Sequence, residues 1–389
     1  MKQLAEEKKP GKKTEIHINN RTGKPDNVVK KEYLVNRDCE EIEKELPRFM
    51  RGVFSYFKSS LLPMSRREYL RDIRFFMNYL VEHTNLTKAD KASDITEDEI
   101  RDITGRDVNE FLDYCRNYGV ERNGVIQVYS DSNKTLARKK SALSVMFRNL
   151  YREGIMKEDI TGMFNPIKVQ KASEHEIKAL QDNEVMVMLD AVTTGEHLTP
   201  KEHQYWEKTK KRDKAILVLF LTYGLRLSEL EQLNLSSFNF ERGEFKIYRK
   251  RNKESLMPLN NKTVLKALHE YIDEERPSDE KIKPGSEDAL FISLQGNRMT
   301  QRQIRSMVKK YTSIGMKTSR KNGYSPHKLR ATAATSLIGR GNSIYDVQAL
   351  LDHENVSTTQ LYAKHKLNTK RDLIKNFEWD DEFDNPPKK

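Results

Sequence analysis

Between about residues 35 and 172 the apolar positions recur at three- and four-residue spacing, which predicts helices that each bury one stripe. After Ser65, the residues Tyr69, Ile73, Phe76, Met77 and Leu80 fall on such a stripe. A second helix is predicted from Ile100 through Val108, Phe111, Leu112 and Cys115. A third runs from about Leu136 to Tyr151, with Leu143, Phe147 and Leu150 turned inward. The other face of that third helix carries Arg138, Lys139, Lys140 and Arg148. Residues 1–31 lack apolar spacing, contain Lys8, Lys9, Lys12 and Lys13, and read as unstructured. They are either a solvated tail or a basic arm that touches DNA.

Asn165-Pro166 and the polar stretch Lys168–Lys178 read as a linker. Beyond it, Arg212–Thr222 is a strongly apolar helix that stops at Tyr223-Gly224, where glycine suits a left-handed cap. Ser228 is expected to start the next helix, with Glu231 completing a capping box. Glu244–Arg249 and Glu254–Leu259 alternate like two strands around a turn at Lys250–Lys253. Ser325-Pro326 is a helix start, and that helix should stop near Gly339–Gly341. Ser343 starts another, and Thr358 or Thr359 a last one. No internal repeat is evident.

Composition narrows the class of partner. The 389 residues hold 70 Lys plus Arg against 58 Asp plus Glu, a net charge of +12. Such an excess points to a polyanion, with nucleic acid ahead of an anionic membrane surface. The longest wholly apolar run is Ala215–Leu221, far short of the roughly 18 residues that span a bilayer. No apolar segment of signal-peptide type opens the chain, and the two cysteines, Cys39 and Cys115, cannot build a disulfide framework or a cysteine zinc site. The expectation is a soluble, cytoplasmic protein of a reducing compartment.

Four stretches concentrate reactive groups: Thr222–Leu230 with Arg226, Tyr248–Lys253, Ser325–Arg330, and Leu350–Tyr362. His327 and Arg330 are three apart on a predicted helix and share a face. Arg226 sits in the turn between two helices. Two arginines brought to one point need an anion between them, and the guanidinium fork matches the oxygens of a phosphate. A tyrosine hydroxyl titrates near 10 and is a weak nucleophile at neutral pH, but cations beside it stabilise the phenolate. Attack on a phosphodiester then yields a phosphotyrosyl ester and a free hydroxyl.

Taken together these stretches resemble the tyrosine recombinases, the phage integrases and Xer-type enzymes, over about residues 175–370. The resemblance implies a mainly α fold with a small β-sheet (an α+β catalytic domain), joined to a helical core-binding domain to clamp DNA. It implies a tail at 1–34, a core-binding domain at 35–172, a catalytic domain at 173–370 and a C-terminal tail at 371–389. Tyr362 is then the nucleophile that holds the 3′ end. Arg226 and Arg330 clamp the non-bridging oxygens. Lys250 is the general acid, with Lys253 as the alternative. His327 and His353 handle protons beside the phosphate, and Glu229 supports the site. Arg138, Lys139, Lys140, Arg148 and Lys253 are candidates for DNA contact.

The energy of the broken bond stays in the ester, so no ATP, metal or other cofactor is expected. No P-loop and no carboxylate cluster for two magnesium ions is present in the sequence. Expected partners are double-stranded DNA, a homotetramer in the synaptic complex, and an accessory DNA-bending or directionality factor. In the family, a tail such as Leu373, Ile374, Phe377 and Trp379 packs onto a neighbouring subunit; docking on its own domain is the competing reading. An integrase of a phage or mobile element is the leading role. Xer-type dimer resolution, a type IB topoisomerase and a non-catalytic DNA-binding regulator are the alternatives. Four positions depart from the family pattern, one of them Ala331, which follows Arg330 where Xer-like chains often carry histidine. Arg249 and Arg251 stand where glycines often flank the hairpin lysine, and Asp352 stands where a glycine often precedes the second histidine.

Overall fold

A computed structural model of the chain describes residues 16–170, 178–249 and 253–352. The chain divides into two units, Met1–Val169 and Gln170–Lys389.

In the first unit, helix α1 spans Asp26–Lys44 and follows Pro25, whose φ of −60° sets the chain for a helix start. Val28, Val35, Cys39 and Ile42 make its buried stripe. Helix α1 thus starts inside the stretch expected to lack structure up to residue 31, and it runs across the expected boundary at 34/35. The charges at Lys30, Lys31 and Glu32 obscure that stripe in the sequence. Helices α2 (Arg51–Ser60) and α3 (Pro63–His83) follow, and α3 buries Leu70, Ile73, Phe76, Met77 and Leu80.

The single helix expected from Ile100 to Cys115 is two helices, α4 (Glu97–Arg101) and α5 (Gly105–Tyr114). Thr104 separates them in an extended conformation, and its N–H donates to the Asp107 carboxylate at 2.8 Å. That cap satisfies an orphan donor and starts a new helix instead of continuing the old one.

The helical expectation for 35–172 also omits a hairpin, β1 (Tyr118–Arg122) with β2 (Val125–Tyr129). Its turn is Asn123-Gly124, both with positive φ (52° and 74°). This dipeptide is the strongest short hairpin signal, because both turn residues must adopt left-handed backbone. Helix α6 (Asn133–Arg152) closes the unit. Phe76 meets Phe111 and Phe147 edge-on at 5.1 and 6.0 Å in the core. Burying each such ring stabilises by roughly 1.5–3 kcal/mol.

The second unit opens with α7 (Asp182–Thr194) and α8 (Pro200–Trp206). Helix α9 (Lys210–Tyr223) buries every residue from Ala215 to Phe220, as a helix apolar on all sides must. Gly224 ends it at φ 57°. The short α10 (Leu227–Glu231) comes next. A three-stranded antiparallel sheet follows in the order β3 (Phe238–Asn239), β4 (Glu244–Tyr248), β5 (Glu254–Pro258). Tyr248 pairs with Glu254, so the expected hairpin forms in the expected place. Its alternation turns Phe245, Ile247 and Met257 inward. Helices α11 (Lys262–Glu274), α12 (Gln301–Gly315), α13 (Pro326–Gly339) and α14 (Ile344–Leu351) follow among the described residues. The fold class is mainly α with small sheets. The helix expected from Thr358 or Thr359 lies outside the described residues. No helix among the described residues is long and apolar enough to cross a membrane.

Candidate active site

The helix end at Gly224 creates the first corner of the site. A Cβ there would lie 2.5 Å from Leu351 Cδ2, and the φ is left-handed, so glycine is required twice over. The chain leaves α9 through Leu225 and re-enters a helix with Arg226 as the cap residue of α10. The expected cap pair Ser228 and Glu231 is not used. Glu229 instead sits at the third helical position and reaches back, accepting from the Arg226 N–H at 2.8 Å and its Nη1 at 2.7 Å. Glu231 accepts from Gln301 at 3.0 Å.

Helix α13 brings the second arginine. Ser325 and Pro326 start the helix, His327 lies exposed on its first turn, and Arg330 follows one turn later. Arg330 is 2% exposed. Its Nη1 donates to the Gly224 carbonyl at 2.6 Å and its Nη2 to the Leu351 carbonyl. Arg226 Nη2 donates to the next carbonyl, that of Asp352, at 3.3 Å. The two guanidiniums thus meet on successive carbonyls at the end of α14. Glu229 stands between them, 1% exposed, with its second oxygen 4.0 Å from Arg330 Nη1.

The hairpin supplies a third guanidinium that the sequence reading treats only as a departure from a pattern. Arg249 is 5% exposed and donates to the Leu350 carbonyl at 2.8 Å. Burial pulls its pKa below the ordinary value, against the opposing pull of Glu229 and Asp352. The signal was present: Phe245 and Ile247 face inward, and one more step of two reaches residue 249. Lys253 is exposed, and its Nζ donates to Asp352 Oδ1 at 3.2 Å. Asp352 caps α14 in the left-handed region, φ 50°, ψ 54°. An aspartate tolerates that conformation better than most residues, which accounts for its standing where glycine is common.

Arg226, Arg249, Lys253 and Arg330 therefore gather around Glu229 and Asp352, and positive charge is in surplus. Lys250, His353 and Tyr362 lie outside the described residues. Among the other tyrosines, Tyr223 is held by the Pro258 carbonyl at 2.7 Å and burial pushes it up to about 12. Tyr345 is 70% exposed on the first turn of α14, at the opposite end from Asp352.

The candidate DNA contacts of the helical unit separate on inspection. Lys139 is 5% exposed, not a member of a cationic face. Its Nζ lies 3.9 Å from the Phe75 ring centre and 3.1 Å from Asp131. The placement follows from the helix period: residue 139 falls between Leu136 and Leu143 on the inward stripe. Arg138 pairs with Asp72, whose carboxyl burial raises to about 6 despite the two cations beside it. Lys140 donates to the carbonyls of Phe164 (3.1 Å) and Asn165 (2.8 Å), and Arg148 to Thr161 at 3.1 Å. Each of these cations has work inside its own unit.

Comparison with known proteins adds an independent line. The phage integrase family matches residues 178–368. The tyrosine recombinase XerC of Natranaerobius thermophilus is 33% identical over 265 residues, 67% of this chain and 78% of that protein. XerC of Thermodesulfovibrio yellowstonii is 30% identical over 304 residues, 76% of this chain and 93% of that protein. Among solved structures, the XerH site-specific recombinase in a post-cleavage complex with palindromic difH substrate superposes with a TM-score of 0.58. The identity there is 18%, over 88% of this chain and 94% of that one. A lambda integrase dimer bound to a COC′ core site gives a TM-score of 0.55 at 14% identity, over 92% of this chain and 84% of that one. These last two likenesses are of fold.

Proposed function

Because this chain belongs to the tyrosine recombinase family, we propose that it breaks and rejoins DNA through a phosphotyrosine formed by Tyr362. It is a site-specific DNA recombinase, an enzyme whose partners are duplex DNA and further copies of itself. The observation that carries the residue assignment is the buried carboxylate of Glu229 between Arg226 and Arg330. A carboxylate bonded to Arg226 fixes its fork, and the main-chain carbonyls fix that of Arg330. Both guanidiniums are thus held in fixed orientations, which suits a phosphate that must be met without reorganisation.

In the forward step the Tyr362 hydroxyl passes its proton to the histidine pair His327 and His353, which returns it when the step reverses; the tyrosine oxygen bonds to phosphorus and the bond from phosphorus to the 5′ oxygen breaks. That oxygen takes a proton from Lys250 and leaves as a hydroxyl. The 3′ phosphate remains on the tyrosine. Arg226 and Arg330 hold the non-bridging oxygens, with His327 and His353 hydrogen-bonded beside them. Attack by a 5′ hydroxyl of the partner strand runs the step backwards, and the hairpin lysine recovers its proton. Lys253 is engaged by Asp352 in this structure, which favours Lys250 as the acid.

The synaptic assembly is a tetramer on two duplexes, with residues 35–172 as a second DNA-binding element and 371–389 packing onto a neighbour. An accessory bending or directionality factor accompanies it, and the enzyme works in the cytoplasm at the nucleoid. Integration and excision of a mobile element is the role we assign. The XerC relatives specifically favour a second one, resolution of chromosome or plasmid dimers.

The test is a duplex nicked next to the scissile phosphate, which traps the covalent product. Wild type should accumulate a protein–DNA adduct and Tyr362→Phe none. Binding without any adduct in the wild type would overturn the enzymatic reading, and an adduct that persists in Tyr362→Phe would overturn the choice of nucleophile.

A further inference from the structure

The two described departures from the family's glycine pattern, Arg249 and Asp352, face each other. Arg249 closes the hairpin from one side, its N–H donating to the Lys253 carbonyl at 2.9 Å. Its guanidinium crosses to α14 and donates to the Leu350 carbonyl. Its Nε is buried without a hydrogen-bond partner and lies 3.9 Å from Asp352 Oδ2. The other carboxylate oxygen takes Lys253 Nζ at 3.2 Å. The main-chain carbonyl of the same Asp352 receives Arg226. One residue thus touches both strand ends of the hairpin and one arm of the arginine clamp.

A carboxylate in this place carries opposite electrostatic consequences. It lowers the local positive charge that attracts DNA, which by itself weakens phosphate binding. It also offsets the burial of Arg249, since a buried cation is costly without a nearby anion. And it ties the base of the hairpin to the end of α14. Lys250 directly follows Arg249 in the chain.

The geometry points to Asp352 as a positioning residue that clasps the hairpin against α14 and so aims the general acid at the leaving oxygen. This rests on the assignment of Lys250 as the acid. The clasp acts on proton delivery, not on DNA affinity and not on the arginine clamp.

That distinction can be read with a substrate in which sulfur replaces the bridging 5′ oxygen. A thiol titrates near 8.5, so the thiolate leaves unprotonated, whereas an alkoxide is far more basic and needs the acid. Asp352→Asn keeps the left-handed cap, because asparagine also tolerates positive φ, and removes only the charge. At saturating DNA its single-turnover cleavage should fall about tenfold or more on the oxygen substrate and return to within about threefold of wild type on the sulfur substrate. DNA affinity should stay equal or tighten. Wild-type cleavage by Asp352→Asn on the oxygen substrate, or an equal loss on both substrates, would overturn the clasp. Lys250→Ala is the control. If sulfur does not rescue it, the acid assignment fails; if sulfur rescues it but not Asp352→Asn, the clasp alone fails.

Discussion

Lys139 in the helical unit and Arg330 in the catalytic unit are both basic residues buried to a few per cent exposure. They are buried among different partners. Lys139 is enclosed by what neutralises it, with the Phe75 ring on one side and Asp131 on the other. Nothing of its ammonium is kept back for a ligand. Arg330 is held by two carbonyls, which orient a guanidinium without cancelling its charge, and Glu229 is shared with Arg226. Carbonyls fix the direction of a cation, whereas a carboxylate and a ring face also offset its charge.

This contrast is broken most directly by removing the cations. Arg330→Ala should slow cleavage of the nicked duplex by about 10²–10³, the usual cost of losing one pre-aimed donor to developing charge. Its duplex affinity should stay within about tenfold, since one phosphate contact among many is lost. A collapse in affinity would show that Arg330 serves the fold or the DNA backbone instead. Lys139→Met should do the reverse. It leaves Asp131 without its cation and should destabilise the helical unit by about 2–3 kcal/mol in denaturant unfolding. The slope of log affinity against log salt should not move, because no phosphate contact is removed. A slope reduced by about one would place Lys139 on the DNA after all.

A third ion pair sharpens the comparison. Glu202 accepts two bonds from Arg320 at 2.9 Å each, and these hold its carboxyl down at about 2. A depressed carboxyl stabilises the fold above its unfolded value near 4.5, and the contribution fades as pH falls towards 2. The pair is partly exposed, so screening reduces it to about 1 kcal/mol. Glu202→Gln should therefore be less stable than wild type at pH 6 and equal to it near pH 2, as read by chemical denaturation. A constant difference across that range would mean the loss is one of packing.

A comparably small effect concerns the hairpin of the helical unit. Gly124→Ala should cost about 1 kcal/mol, because its φ of 74° excludes a Cβ without strain. No change in thermal unfolding would show that the hairpin carries little of the unit's stability.

The same contrast separates what could be read along the chain from what could not. The end of α9 at Gly224, the β4–β5 hairpin and the starts of α13 and α14 rest on local chemistry, and each stands where caps, alternation and turn residues put it. Asn123-Gly124 is equally local, but its short strands lie between two helices whose apolar spacing dominates the region. The break at Thr104 turns on one capping choice within an otherwise continuous apolar stripe. By contrast, whether residue 139 meets water or an aromatic ring depends on α3 and α5, which lie far off in sequence.

What the order of residues determined by itself was the set of reactive groups, the helices and strands that carry most of them, and the chemistry two arginines and a tyrosine can perform. Those follow from side-chain type and from spacings of two and of three to four, which are properties of neighbouring residues. Tertiary structure alone decided which cations meet carboxylates and which meet carbonyls, that Arg249 turns inward, and that the Asp352 carboxylate closes on Lys253. Partners 99 and 101 residues apart in the chain meet only once the core has packed, and no local pattern encodes that meeting.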